Sequence, residues 1–214
     1  MSNIWYEHWL VGANGVFTAT AEGEWTRIGD FDYSVNHVLE TETRVLAAVN
    51  CGIFSVLREC GTWTQLHDET VTEVLTIAPH SRGAGVAVGC PYGVATGSED
   101  DLGAIRWEFH SDDLTVNERF TSALLPVDGS LDDYIVGTEA GVLCFRTTGW
   151  GRTNLSGTAV RALIRAHGHY WAGTDEQGIW RSGDGLTWRR VGSGTESRAV
   201  FGLASISDGV VAAT

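Results

Sequence analysis

The sequence contains no lysine: all 14 of its basic residues are arginines, set against 27 aspartates and glutamates. A net charge of -13 opposes the phosphate backbone, which disfavours nucleic acid and anionic membrane as general partners. Only three prolines occur, so no proline-rich linker divides the chain, and residues 1–214 read as a single domain. No run of 18 apolar residues is present, which excludes a membrane-spanning helix. The first residues show no basic stretch leading into an apolar one, so no signal peptide is expected and the cytoplasm is the expected compartment. The four cysteines, Cys51, Cys60, Cys90 and Cys144, form no CxxC pair. Free thiols are therefore expected, although Cys51 and Cys60 could face each other across a hairpin.

What the sequence does contain is an internal repeat. A segment of small and apolar residues meets a tight turn, a glycine opens a second apolar segment, and a tryptophan follows after a hairpin. The clearest copy runs from Tyr170 through Gly178 to Trp188. The other opening glycines are Gly15, Gly52, Gly93 and Gly141, giving successive spacings of 37, 41, 48 and 37 residues. The following tryptophans, Trp25, Trp63, Trp107, Trp150 and Trp188, lie 10, 11, 14, 9 and 10 residues on. Small residues before the turn let neighbouring sheets approach closely, and the glycine supplies a backbone angle that a short connection needs. The tryptophans are expected to pack in the wedge between sheets.

A further apolar strand precedes each later copy, as at Val160-Arg161-Ala162-Leu163-Ile164. Naming the strands A, B, C and D in chain order, A occurs five times, B six, C five and D five. The pattern predicts an all-β fold, a β-propeller of five four-stranded blades closed by the two chain ends. Closure of that kind removes exposed sheet edges but leaves one B strand in surplus. The only candidate for a helix is the stretch from Asp113 to Leu125, which also reads as a loop and a strand.

At Arg181-Ser182-Gly183-Asp184-Gly185-Leu186-Thr187-Trp188 the sequence resembles the Asp-box of BNR-repeat propellers, one residue shorter than the usual box. The resemblance implies a C–D hairpin in which Asp184 accepts backbone N–H bonds, a structural role. The acidic, lysine-free composition resembles that of proteins from salt-loving archaea, and the whole looks like a haloarchaeal propeller. Near molar salt the Debye length is about 3 Å, so repulsion among the carboxylates would be screened. Neither resemblance brings an activity with it, because propellers host unrelated functions.

No catalytic set stands out. The chain has no GxSxG elbow, no HExxH, no zinc-type Cys/His spacing and no glycine loop opening a helix, so neither metal nor cofactor is expected. His167-Gly168-His169 reads as a solvated A–B turn, and Asp112-Asp113 as an acidic turn. The expected binding surface is the face of the B–C and D–A loops. Its B–C turns contribute Asn14, Asn50, Tyr92, Glu139, Asp175, Glu176 and Gln177, polar and different in each copy. Such variety fits a shaped protein or peptide site better than a repeated sugar site. The reading is thus a non-enzymatic scaffold with a protein or peptide partner. A hydrolase or lyase at the mouth of the central channel is the alternative, and a carbohydrate-binding propeller comes third.

Overall fold

A computed structural model of the protein describes residues 9–19, 23–57, 61–81, 85–99, 105–192 and 194–214. The first sheet holds β1 (Trp9–Ala13), β2 (Gly15–Ala19) and β3 (Trp25–Arg27). The second holds β4 (Val35–Glu40), β5 (Arg44–Val49), β6 (Gly52–Leu57) and β7 (Trp63–Gln65). The third contains β8 (Thr76–Pro79), β9 (Val86–Cys90), β10 (Gly93–Glu99) and β11 (Ile105–His110). A four-residue helix, α1 (Val116–Arg119), leads to the fourth sheet. That sheet comprises β12 (Thr121–Pro126), β13 (Tyr134–Thr138), β14 (Gly141–Arg146) and β15 (Gly149–Ser156). The fifth comprises β16 (Val160–Ala166), β17 (His169–Thr174), β18 (Ile179–Ser182) and β19 (Trp188–Arg190), and a last pair joins β20 (Gly202–Ile206) to β21 (Gly209–Ala213). Every pairing is antiparallel between chain neighbours.

Five A, six B, five C and five D strands are therefore present, as the repeat predicts. The closure differs from expectation. Among the described residues β21 pairs with β20 and β1 with β2, and no ladder joins the first sheet to the last. Among the described residues the two chain ends form a three-stranded and a two-stranded sheet. The physical reason is local: Ser207-Asp208 links β20 to β21 by a tight turn, so the nearby strand takes the β20 edge at a far smaller loop-closure cost than β1 would.

The apolar side chains are buried between sheets rather than in one central mass. Val16, Phe31, Val45 and Val56 fill the first interface; Leu46, Ile53, Val74 and Val88 fill the second. Ala87, Leu124, Tyr134 and Leu143 occupy the third, while Ile135, Leu155, Val160 and Trp188 occupy the fourth. The strands β4, β8, β12, β16 and β20 pack on one another in succession.

Most D-strand tryptophans reach back to the preceding sheet. Trp63 Nε1 donates to Ile28 O (2.7 Å), Trp107 Nε1 to Leu66 O (3.3 Å), and Trp188 is fully buried. Trp25 corrects the expectation that all five are core residues, for it is 54% exposed. It belongs to the first sheet, with no earlier sheet among the described residues to form its wedge.

The turn chemistry follows the sequence. The five opening glycines all adopt positive φ, Gly93 the most extreme at 134°. Asp184 Oδ1 accepts the N–H groups of Leu186 (2.9 Å) and Thr187 (2.8 Å), and the Ser182 hydroxyl donates to it (2.9 Å). These donors hold the Asp184 carboxyl down at about 2.

Candidate functional site

Three of the five first strands carry a β-bulge at the same register, which leaves Asn36, Ser122 and Arg161 without a cross-strand partner. The freed side chains turn to the B–C ends of the sheets. Asn36 Nδ2 donates to Asn50 Oδ1 (2.9 Å) and to Val74 O of the next sheet (2.8 Å). Ser122 Oγ donates to Gly137 O and to Val160 O. Arg161 forks onto Asp175 through Nε (2.9 Å) and Nη2 (2.5 Å) and donates from Nη1 to Glu139 of the preceding sheet (2.8 Å). The same pairing lowers the Asp175 carboxyl and raises the Arg161 guanidinium.

The structure thus links Glu139 and Asp175 through Arg161 and ties Asn50 to Asn36. Tyr92 Oη accepts the Thr72 N–H (2.9 Å). The carbonyl of Asn14 accepts from Arg27 Nη2 (2.6 Å), and that of Gln177 from Arg190 Nε (2.8 Å). Glu176 is exposed. Asn14 and Tyr92 sit in the B–C turns of the first and third sheets, and Glu176 and Gln177 share the turn of Asp175 in the fifth. His167 and His169 form the β16–β17 turn, with His167 Nε2 3.0 Å from both Ile206 O and Gly209 O, which fastens the fifth sheet to the last.

A cleft of about 680 Å³ opens elsewhere, between the third and fourth sheets. The fourth sheet contributes its A–B and C–D turns, the strand ends opposite the B–C turns, through Asp132, Phe145, Arg146, Thr147 and Trp150. The third contributes the outer strands β10 and β11 together with His80 and Asp112-Asp113. One wall is aromatic: Phe145 lies 5.0 Å from Trp150 and 4.7 Å from the His110 ring, centroid to centroid. Thr96 Oγ1 and His110 Nε2 are 3.0 Å apart. Burial lowers the His110 pKa, against the opposing pull of Glu108 and Asp112. His80 Nδ1 stands 2.9 Å from Tyr134 Oη and 3.3 Å from Asp132 Oδ1 at one corner of the cleft. Glu108, Asp112, Asp113 and Asp132 also line the cleft, as does Arg146, which is 3.8 Å from Asp133.

The sequence shows these histidines only as scattered residues and Asp112-Asp113 only as an acidic turn. The one available signal is that Phe145 and Trp150 flank a C–D hairpin, where side chains meet the preceding sheet. Among the described residues no group of three or more His, Cys, Asp and Glu is arranged to hold a metal ion.

Comparison with solved structures places the architecture. The extracellular domain of BT4673 from B. thetaiotaomicron superposes with a TM-score of 0.72 at 13% identity, over 91% of this chain and 28% of that one. The fold is that of a β-propeller. PorZ, a surface component of the type-IX secretion system of Porphyromonas gingivalis, gives a TM-score of 0.69 at 14% identity over 93% of this chain and 34% of its own. YCF48 bound to D1 peptide gives 0.61 at 14% identity, over 91% and 70%. The propeller chain spans under a third of the length of the BT4673 domain. No family model matches the sequence, and no curated protein does either.

Proposed function

We propose that this propeller is a non-enzymatic scaffold that binds a protein or peptide, and that its binding surface is the cleft between the third and fourth sheets. The observation that carries the reading is the cleft's construction: a concave space with an aromatic wall and a charged rim, built on strand ends that the blade packing holds in place. Such rigid aromatic surfaces with a few polar groups are what peptide side chains dock against. YCF48, a neighbour in fold, was solved with a peptide bound.

The scaffold works in the cytoplasm of a salt-loving cell on this reading. Supporting it are the free thiols of Cys51, Cys90 and Cys144; burial pushes the Cys90 thiol up to about 12, so it is inert at neutral pH. Cys60 lies outside the described residues.

The test is selection of a displayed random peptide library on the chain at molar KCl, repeated on a Ser98→Trp variant. Ser98 is exposed at the cleft, and an indole there would plug it. Enriched peptides should lose at least tenfold in affinity on the variant. A library that yields no binder, or binders indifferent to the plug, would refute the reading.

A further inference from the structure

We infer that the cleft between the third and fourth sheets is a receptor for arginine side chains, so that the partner presents an arginine-bearing segment; this rests on the peptide-binding reading above. The first support is charge complementarity. Three carboxylates, those of Glu108, Asp112 and Asp113, line the same space as the aromatic wall, beside Asp132, which Ser81 and His80 already hold; among the described lining residues the one guanidinium, Arg146, leans toward Asp133. A cationic ligand is attracted to such a rim, and a neutral or anionic one is not.

The second support comes from the protein's own guanidinium groups. Arg165 lies over the Tyr170 ring at 4.5 Å while its Nε donates to Asp128 (2.8 Å). Arg27 lies over Phe17 at 5.6 Å while bonding Asp32 (3.0 Å). In two sheets of this fold, therefore, a guanidinium lies over the ring of its cross-strand partner while bonding a carboxylate. The cleft offers the same two components, Phe145 and Trp150 beside the acidic rim. Among the described residues no arginine of the chain lies over either ring.

Arginine rather than lysine suits this arrangement. Its planar group stacks on a ring and forks onto a carboxylate at once, whereas an ammonium offers a compact, strongly hydrated charge. A space of about 680 Å³ holds more than one such side chain with the backbone that joins them.

The probe is a pair of ten-residue glycine–serine peptides carrying three arginines or three citrullines, the latter matched in shape but neutral. Binding is measured at the lowest KCl concentration that keeps the fold intact. The arginine peptide should bind at least tenfold more tightly than its citrulline twin, with a lysine version between them. The double variant Glu108→Gln, Asp112→Asn should erase that difference while its melting temperature stays that of the parent. Equal affinity for arginine and citrulline peptides, or a difference that survives the double variant, would overturn the guanidinium inference. Failure there leaves the peptide reading standing if the library still yields binders sensitive to Ser98→Trp.

Discussion

Gly173 on β17 faces Val200, just ahead of β20, so closely that a Cβ on the glycine would lie 2.6 Å from Val200 Cγ1. The same relationship recurs along the repeat. Gly12 meets Val35, Gly89 meets Thr121, and Gly137 meets Val160, each pair joining a B strand to the head of the next sheet's A strand. Removing the side chain at this one register lets successive sheets lie close beside the axis while their outer strands splay.

Gly173→Ala should therefore destabilise the protein, despite the better strand propensity of alanine. The overlap with Val200 costs about 1–3 kcal/mol, the usual range for overpacking. Gly151→Ala is the control, since a Cβ there meets nothing nearer than 3.8 Å and no positive φ opposes it. Urea unfolding at molar KCl should separate the two variants clearly; matching midpoints would show that the close approach is not limiting.

Equivalent tryptophans in the repeat should differ in energy by their place in the stack. Trp188 is 1% exposed and its Nε1 donates to Gly185 O (3.0 Å), whereas Trp25 is 54% exposed. Replacing Trp188 by alanine should cost about 3–5 kcal/mol. The Trp25→Ala change should stay within about 0.5 kcal/mol. Thermal melts of the two variants check this, and comparable losses would contradict the wedge account.

Asp184 links stability to acid. Its carboxyl is held at about 2, below the ordinary 3.8, so the folded protein binds that proton less readily than the unfolded chain. The contribution is complete above about pH 4 and lost as the pH falls toward 2. Asp184→Ala should lower stability by about 1 kcal/mol at pH 7, a modest figure because the group is exposed and screened. The difference between parent and variant should shrink on acidification. A difference that is constant from pH 7 to pH 2 would rule out the ionised form as the source.

Salt should matter more than for an ordinary acidic protein. With 27 acidic residues against 14 basic ones, dilute buffer leaves carboxylate repulsion unscreened. The melting temperature should rise between 50 mM and 2 M KCl. Equal midpoints at the two concentrations would dispose of the salt-adapted reading.

The strand tally, the positive-φ turns and the Asp184 hydrogen bonds were legible because each depends on residues close together in the chain. The stretch from Asp113 to Leu125, which reads in the sequence either as a helix or as a loop and a strand, resolves into a single helical turn followed by β12. The bulges were not legible. Asn36, Ser122 and Arg161 share a register and a structural task but no residue type, and their partners lie 14 to 38 positions away. The cleft was hidden for the same reason, since Phe145 and His110 belong to different sheets.

By itself the sequence determined the repeat unit, because period-two apolar strands, turn glycines and a hairpin aspartate act over a few residues and need no distant partner. Only the tertiary structure decided which strand closes each sheet, which tryptophans are buried and where carboxylates gather beside aromatic rings. Those outcomes depend on how one sheet packs against the next. The repeat specifies that packing well near the axis, where glycine meets valine or threonine, and loosely at the outer strands, where the cleft forms.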